Sequence, residues 1–408
     1  MQCFGQPSEL MISCSRKKPR LIRTGKVAAS HISQVTCLPE TPLANQGQQG
    51  LHMGFKFVHG SVAVAAPACR CTLIPFGAAL PIVSTAKHIH LINPFTDPYG
   101  GSEQRTLALF NLLSSQTSVT VWCEGTPHDS FSQFPIRLIR PFAKQYPVQG
   151  TIVLVGAYFR AGSWIARSNA GRVIQIYNTY AHEQLYTALR YYRDLGIELI
   201  ELVFASRALK DACCLEGIVQ TSPIDLGRFA PSSVITTNRT PRPFTVGRLS
   251  RDIGPKHHPS DPGIYRELVE AGCNVRIMGG TCLRNTLGAH PRIELLPAGG
   301  EKPEVFLRSL DCFLYRTSDD WHESFGRVVM EAMACRLPVV VHSAGDYSEY
   351  VEHGKTGFLF QSDRDAVGTV LLLKNNPGLR STIGHAAVSR AKTMMEEVAK
   401  AIHSYYLA

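Results

Sequence analysis

Glu323 and Glu331 stand eight positions apart in the run His322-Glu323-Ser324-Phe325-Gly326-Arg327-Val328-Val329-Met330-Glu331. Ala332-Met333-Ala334-Cys335-Arg336-Leu337-Pro338 follows, and then the apolar Val339-Val340-Val341. The pattern predicts a helix from about Phe325 to Cys335, with Ser324 as its N-cap and Pro338 as its stop. A helix start leaves backbone N–H groups free, here at Phe325 and Gly326, and glycine lets a ligand approach closely. Such an end suits a phosphate. Glu323 would stand just outside the helix, facing a cleft, with Glu331 on the order of 10 Å away along it. Two acceptors so placed can hold hydroxyls at opposite ends of one elongated ligand. A capping acid plus a solvated acid is the plainer account of such a pair. Glu331 weakens it, because Val328, Val329, Met330, Ala332 and Met333 surround it with apolar neighbours.

The elements that must position these residues alternate between strand and helix. Strand-like runs fall at 88–93, 119–123, 136–139, 151–155, 173–177 and 201–205, with helical spacing at 104–113 and 183–195. Residues 220–244 carry Pro223, Pro231, Pro241 and Pro243 and read as a loop, with the domain linker over 231–243. The rhythm then restarts: strands at 244–246, 275–278, 293–296, 312–315, 339–341 and 356–360, helices at 264–271, 305–310, 363–374 and 387–405. This predicts an α/β chain with parallel sheets covered on both faces. Its parts are an N-terminal domain over 87–230, a C-terminal domain over 244–390 and a closing helix over 391–408. Two doubly wound halves in tandem put a cleft between them, at the carboxyl ends of the strands.

Of the net charge of +10, residues 1–87 hold +7, from nine Lys/Arg against two acids. The remaining body is nearly balanced, so a nucleic-acid partner is not indicated. The leader, 1–86, has no clear period; a disordered tail, a targeting segment or a true start further on, for example at Met53, compete for it. The apolar run at 71–86 is broken by two prolines and is too short to span a bilayer. The 12 cysteines contain no C-x-x-C pair, which fits reduced, buried thiols in a cytoplasmic protein.

The Glu323–Glu331 segment resembles the E-x7-E motif of retaining GT-B glycosyltransferases, in particular glycosyltransferase family 4. The resemblance runs from about Lys87 to the C-terminus. Thr245-Val246-Gly247-Arg248-Leu249-Ser250 with Lys256 is similar to that family's G-R-L segment, Gly100-Gly101-Ser102-Glu103 to its Gly-rich loop, and Gly354-Lys355-Thr356-Gly357-Phe358 to its N-G-x-x-G-F turn. It implies two Rossmann-like doubly wound domains (GT-B) around an interdomain cleft. The implied reaction is transfer of a sugar, with retention, from a nucleotide-diphosphate donor to a carbohydrate, lipid-linked or small-molecule acceptor. Arg248 and Lys256 would bind the diphosphate, Glu323 the sugar hydroxyls, the Ser324, Phe325 and Gly326 amides the sugar and phosphate, and Glu331 the ribose. Gly100 and Gly101 would approach the donor phosphate and frame the acceptor. No cofactor and no metal is implied, and peripheral membrane contact is left open. Arg248 and Lys256 lie further apart than is usual in the family, and His353 stands where Asn is common.

His182 follows a strand where the family often places a histidine near the reacting centre; a helix-capping or surface histidine is the competing account. Gly279-Gly280 ends a strand on the ligand side, a short echo of a phosphate loop. Asp363-Arg364-Asp365 matches the D-x-D of metal-dependent transferases, but helix capping explains it better. Rival functions are a sugar-nucleotide epimerase or phosphorylase on the same scaffold, or a non-catalytic ligand-binding protein that kept the fold.

Overall fold

The computed structural model describes residues 88–156, 159–231 and 242–408. The leader and most of the expected linker lie outside these residues. Seven strands form the first sheet: β1 (Ile89–Ile92), β2 (Val119–Cys123), β3 (Ile136–Leu138), β4 (Thr151–Val155), β5 (Arg172–Tyr177), β6 (Glu201–Phe204) and β7 (Ile218–Val219). Their order is β3-β2-β1-β4-β5-β6-β7, and every pairing is parallel. The second sheet, β8 (Thr245–Leu249), β9 (Asn274–Met278), β10 (Ile293–Leu296), β11 (Cys312–Tyr315), β12 (Val339–His342) and β13 (Phe358–Phe360), is ordered β10-β9-β8-β11-β12-β13, again parallel.

The helices are α1 (Gly101–Leu113), α2 (His182–Asp194), α3 (Arg207–Cys213), α4 (Asp261–Glu270), α5 (Arg284–Leu287), α6 (Pro303–Arg308), α7 (Arg327–Ala334), α8 (Asp363–Asn375) and α9 (Pro377–Leu407). The inner strands β1, β4, β8 and β11 are buried along their whole length, as expected when both faces of a parallel sheet are covered. In each sheet the chain order reverses beside the central strand, between β1 and β4 and between β8 and β11. Those are the points where open α/β sheets take ligands. Two Rossmann-like α/β domains result.

The closing helix differs from expectation. A single helix runs from Pro377, and position 391 is interior to it. Its first half packs on the second sheet's core through Ile383. Its last turns reach the first domain, where the Tyr405 hydroxyl donates to Glu201 Oε2 at 2.7 Å and Arg172 Nη1 donates to the Tyr405 carbonyl at 3.1 Å. A helix of that length, about 46 Å at 1.5 Å per residue, is long enough to serve both domains. One apolar cluster is continuous from β4 and β5 through Ile224 and Phe229 to α7 and α9. The two domains therefore share a core at their junction.

Candidate active site

A cavity of about 440 Å³ lies between the two sheets at the carboxyl ends of their strands. From the first domain it is lined by the loop after β1 and the start of α1 (Asp97 to Arg105), by Gly156 after β4, and by Asn178 and Thr179 after β5. The second domain contributes Ser250, Arg251 and Lys256 after β8, Gly299 after β10, and Trp321 and Glu323 to Gly326 after β11, with Glu331 from α7.

Glu323 is at the centre of the second wall. Lys256 Nζ donates to its Oε2 at 2.6 Å, and the Tyr315 hydroxyl donates to the same oxygen at 2.9 Å. Burial pushes the Glu323 carboxyl up, but the Lys256 charge and the hydrogen bonds from Lys256 and Tyr315 outweigh it and hold it below its ordinary 4.5. Burial lowers the Lys256 ammonium, with Glu323 opposing. Trp321 supports this arrangement: Lys256 Nζ lies 4.6 Å from its ring centroid and the Arg251 guanidinium carbon 4.9 Å. Arg251 also reaches across the cleft to Asp97 at 3.5 Å.

Glu331 is 8% exposed, and its carboxylate lies 3.6 Å from Arg327 one turn earlier on α7. Burial raises its pKa above the ordinary value and Arg327 counteracts this only in part. Arg327 Nη1 in turn donates to Ser222 Oγ and, at 2.9 Å, to the Pro223 carbonyl, both in the first domain's exit segment. Gly101 closes against Arg327 from the opposite wall, since a Cβ there would stand 3.8 Å from Arg327 Cδ. Gly100 caps α1, and Glu103 folds back so that its carboxylate covers the Gly100 Cα, where any side chain would collide with it.

Several sequence expectations are corrected here. The helix begins at Arg327, not Phe325, because Gly326 sits at φ 71° and breaks the helical path. Ser324 is therefore not the N-cap; its Oγ donates to the Asn178 carbonyl at 2.5 Å and ties the two walls together. The amides of Phe325 and Gly326 still precede the first helical hydrogen bond, Val329 N–H to Gly326 O at 2.9 Å, and both residues line the cavity.

Arg248 lies behind the wall. At 1% exposed, its guanidinium is paired with Asp261 at 3.0 Å, donates to the Arg316 carbonyl at 2.9 Å and to the Lys256 carbonyl, and stacks on Tyr315. It is held inward by Asp261 at the start of α4, which also pairs with the buried Arg316 at 2.6 Å. Arg251, three residues on and one turn of loop nearer the cavity, is the cation exposed beside Lys256. Gly279 is likewise beneath the wall: at φ 79°, with Ser250 O where a Cβ would go, it lets the loop after β8 cross it. His182 is turned away from the cleft, with Nδ1 3.1 Å from the Tyr177 hydroxyl and 3.3 Å from Cys213 Sγ. It opens α2, and Asn178 and Thr179 take the cavity-lining positions instead. The D-x-D run is the first turn of α8, where Ser362 Oγ accepts from Asp365 N–H at 3.2 Å and Asp363 binds Arg316 at 2.6 Å.

Residues 281–402 match the family model for glycosyl transferases group 1. A D-inositol 3-phosphate glycosyltransferase of Corynebacterium jeikeium is 36% identical over 221 residues, covering 45% of this chain and 49% of that protein. The matched part of the chain spans half or less of the length of its curated relatives, 46% and 49% for two of them and 18% for another. Sucrose-phosphate synthase from Thermosynechococcus elongatus superposes with a TM-score of 0.61 at 16% identity, over 78% of this chain and 98% of that one. Anabaena HepE in complex with UDP-glucose superposes with a TM-score of 0.58 at 16% identity, over 78% and 99%. At such identities the likeness is one of fold. This chain thus has the two-domain GT-B architecture, and over residues 281–402 it is similar to glycosyl transferases group 1.

Proposed function

We propose that the protein is a retaining glycosyltransferase of the family 4 type. It would move a sugar from a nucleotide-diphosphate donor to a carbohydrate, lipid-linked or small-molecule acceptor. One observation carries this: Glu323 and Glu331 bracket the start of α7 and line the same interdomain cavity, with Lys256 and Arg251 beside Glu323. In the proposed complex Glu331 accepts from the ribose hydroxyls, Lys256 and Arg251 neutralise the diphosphate, and Glu323 accepts from sugar hydroxyls. The Phe325 and Gly326 amides add donors to the phosphate. As the glycosidic bond breaks, negative charge grows on the leaving diphosphate, and fixed cations there stabilise the transition state more than the ground state. Arg248 acts from behind, holding the Lys256 carbonyl. The Gly100–Gly101 loop and Asn178 and Thr179 frame the acceptor. No step in this scheme requires a metal or cofactor. Among the described residues no helix is long and apolar enough to cross a membrane; peripheral contact and a cytoplasmic location are part of the proposal.

The test is a panel of UDP-, GDP- and ADP-sugars incubated with the full chain, followed by product analysis. Free nucleotide diphosphate, with released or transferred sugar of unchanged anomeric configuration, is expected. An isomerised donor or a sugar phosphate would replace this function by epimerisation or phosphorolysis. Tight nucleotide binding without turnover on a broad acceptor panel would make the protein a binder.

A further inference from the structure

The short turn Asp346–Glu349, after β12, makes a joint with the first domain. Asp346 is 4% exposed, and its carboxylate accepts three side-chain hydrogen bonds. Two come from the first domain: the Tyr180 hydroxyl at 2.9 Å to Oδ2, and Ser206 Oγ. The third comes from His322 Nε2 at 2.7 Å, in the second domain. Ser206 is also the N-cap of α3, accepting from Leu209 N–H at 3.1 Å. At the other end of the turn, the Glu349 carboxylate accepts from the Arg207 and Ala208 amides at 3.1 and 2.8 Å. Two carboxylates from one domain thus meet the amino end of a helix in the other, a favourable arrangement for negative charge.

What the joint holds matters as much as its strength. Tyr180 is one residue beyond Thr179 and His322 one residue before Glu323, so each Asp346 partner is adjacent to a cavity wall. The Asp346 amide also donates to the Glu323 carbonyl at 3.0 Å, fixing the backbone that carries the Glu323 side chain. The Tyr180 and His322 rings meet edge to face, 4.4 Å between centroids, over the same carboxylate.

We propose that Asp346 is a positioning residue for the donor site. It ties Tyr180 and Ser206 of one wall to His322 and the Glu323 backbone of the other, and so sets the spacing of the cleft at which Glu323 works. This rests on the function proposed above only for its kinetic consequence; the joint itself is independent of it. A buried carboxylate with three donors is fully satisfied only while the domains are docked, so docking and placement of Glu323 come together.

The experiment uses the full chain with a fluorophore pair, one on each domain, and reads the interdomain distance distribution and the rate of nucleotide diphosphate release from whichever of the UDP-, GDP- and ADP-sugars wild type turns over. Wild type is compared with Asp346→Ala and Tyr180→Phe, the latter removing one donor without stranding a charge. Asp346→Ala is expected to broaden the distance distribution and lower kcat about 100-fold, the scale on which a misplacement of about 1 Å acts. Affinity for that nucleotide diphosphate should change by less than about threefold. Tyr180→Phe should move both readouts the same way, with kcat down about fivefold. If Asp346→Ala fails to fold, Tyr180→Phe decides alone. Unchanged distance distribution and kcat in folded variants would overturn the proposal. Should wild type release no nucleotide diphosphate from any of UDP-, GDP- and ADP-sugars and bind none of UDP, GDP and ADP, the glycosyltransferase function fails, and the distance distributions still decide the joint.

Discussion

Lys256 and Glu323 form an ion pair of 2.6 Å inside the cleft, joining the loop after β8 to the loop after β11. Both belong to the wall where a diphosphate and its sugar would meet. Glu331, eight positions further along, is in the same cavity but in a different electrostatic setting, facing one guanidinium from 3.6 Å.

The two glutamates should therefore respond to pH with opposite sign. Glu323 is held below its ordinary 4.5, so its contribution to stability is complete above pH 4.5 and is lost as pH falls through its lowered value. Glu331 is raised above 4.5, so its contribution is complete below pH 4.5 and is lost as pH rises through its raised value. Thermal melts across these windows check this. The Tm of Glu323→Gln relative to wild type should climb as pH falls below 4.5, and that of Glu331→Gln should climb as pH rises above it. Differences that slope the same way would contradict it.

Arg248 and Arg251 should separate stability from ligand binding. Arg248→Ala removes one of two buried guanidinium partners of Asp261, Arg316 at 2.6 Å being the other, and leaves the Arg316 and Lys256 carbonyls without that donor, so it should cost about 1–3 kcal/mol, read as a lowered denaturant midpoint. Arg251→Ala, at a half-exposed position, should leave the midpoint within about 0.5 kcal/mol of wild type and weaken UDP binding instead. An unchanged midpoint for Arg248→Ala would show that its guanidinium is not the buried support seen here.

Trp321 should report on the cations it carries. Trp122 and Trp164 are 6% and 1% exposed, whereas Trp321 lines the cavity, so the change in indole emission on adding UDP should vanish in Trp321→Phe. Trp321→Leu removes the aromatic face from both Lys256 and Arg251. At about 0.5–1 kcal/mol per cation it should slow donor turnover roughly tenfold. Loss of neither signal nor rate would leave the ring with a packing role only.

His182→Ala should change turnover by no more than about twofold, because the imidazole is engaged by Tyr177 and Cys213 away from the cavity. A loss of 100-fold or more, without loss of folding, would place the imidazole at the reacting centre after all.

The sequence made the architecture and the heart of the site readable for definite reasons. Strand runs such as Thr151–Val155 and Cys312–Tyr315 are short and almost wholly apolar, the first between Gly150 and Gly156 and the second between Asp311 and Arg316, so their bounds could be read directly. Glu331 stood out as an acid in an apolar run, and it is buried. Local spacing does not encode which way a side chain turns. Arg248 and Arg251 are three residues apart on the same segment, and partners from elsewhere in the chain, Asp261 on α4 and the Arg316 carbonyl among them, hold the first inward. Gly326 reads equally well as a first helical residue or as the left-handed residue before one; packing against Tyr347, where any Cβ would clash, accompanies the second outcome. Asp346 carries no local signal, because its partners Tyr180 and Ser206 are more than 100 positions away. Helix α9 starts well before the expected 387, at Pro377, because proline is favoured in the first turn of a helix, where its missing N–H costs nothing.

The central claim is that the cleft holds a nucleotide diphosphate between Glu331 and the Lys256–Arg251 pair. Titration calorimetry of UDP, GDP and ADP into wild type, Glu331→Ala and the double variant Arg251→Ala/Lys256→Met measures this directly. Saturable binding of one nucleotide to wild type is expected with Kd below about 1 mM, weakened about tenfold or more in each variant. No saturable heat from any of the three at millimolar concentration in folded wild type, or equal affinity in all three proteins, would contradict it.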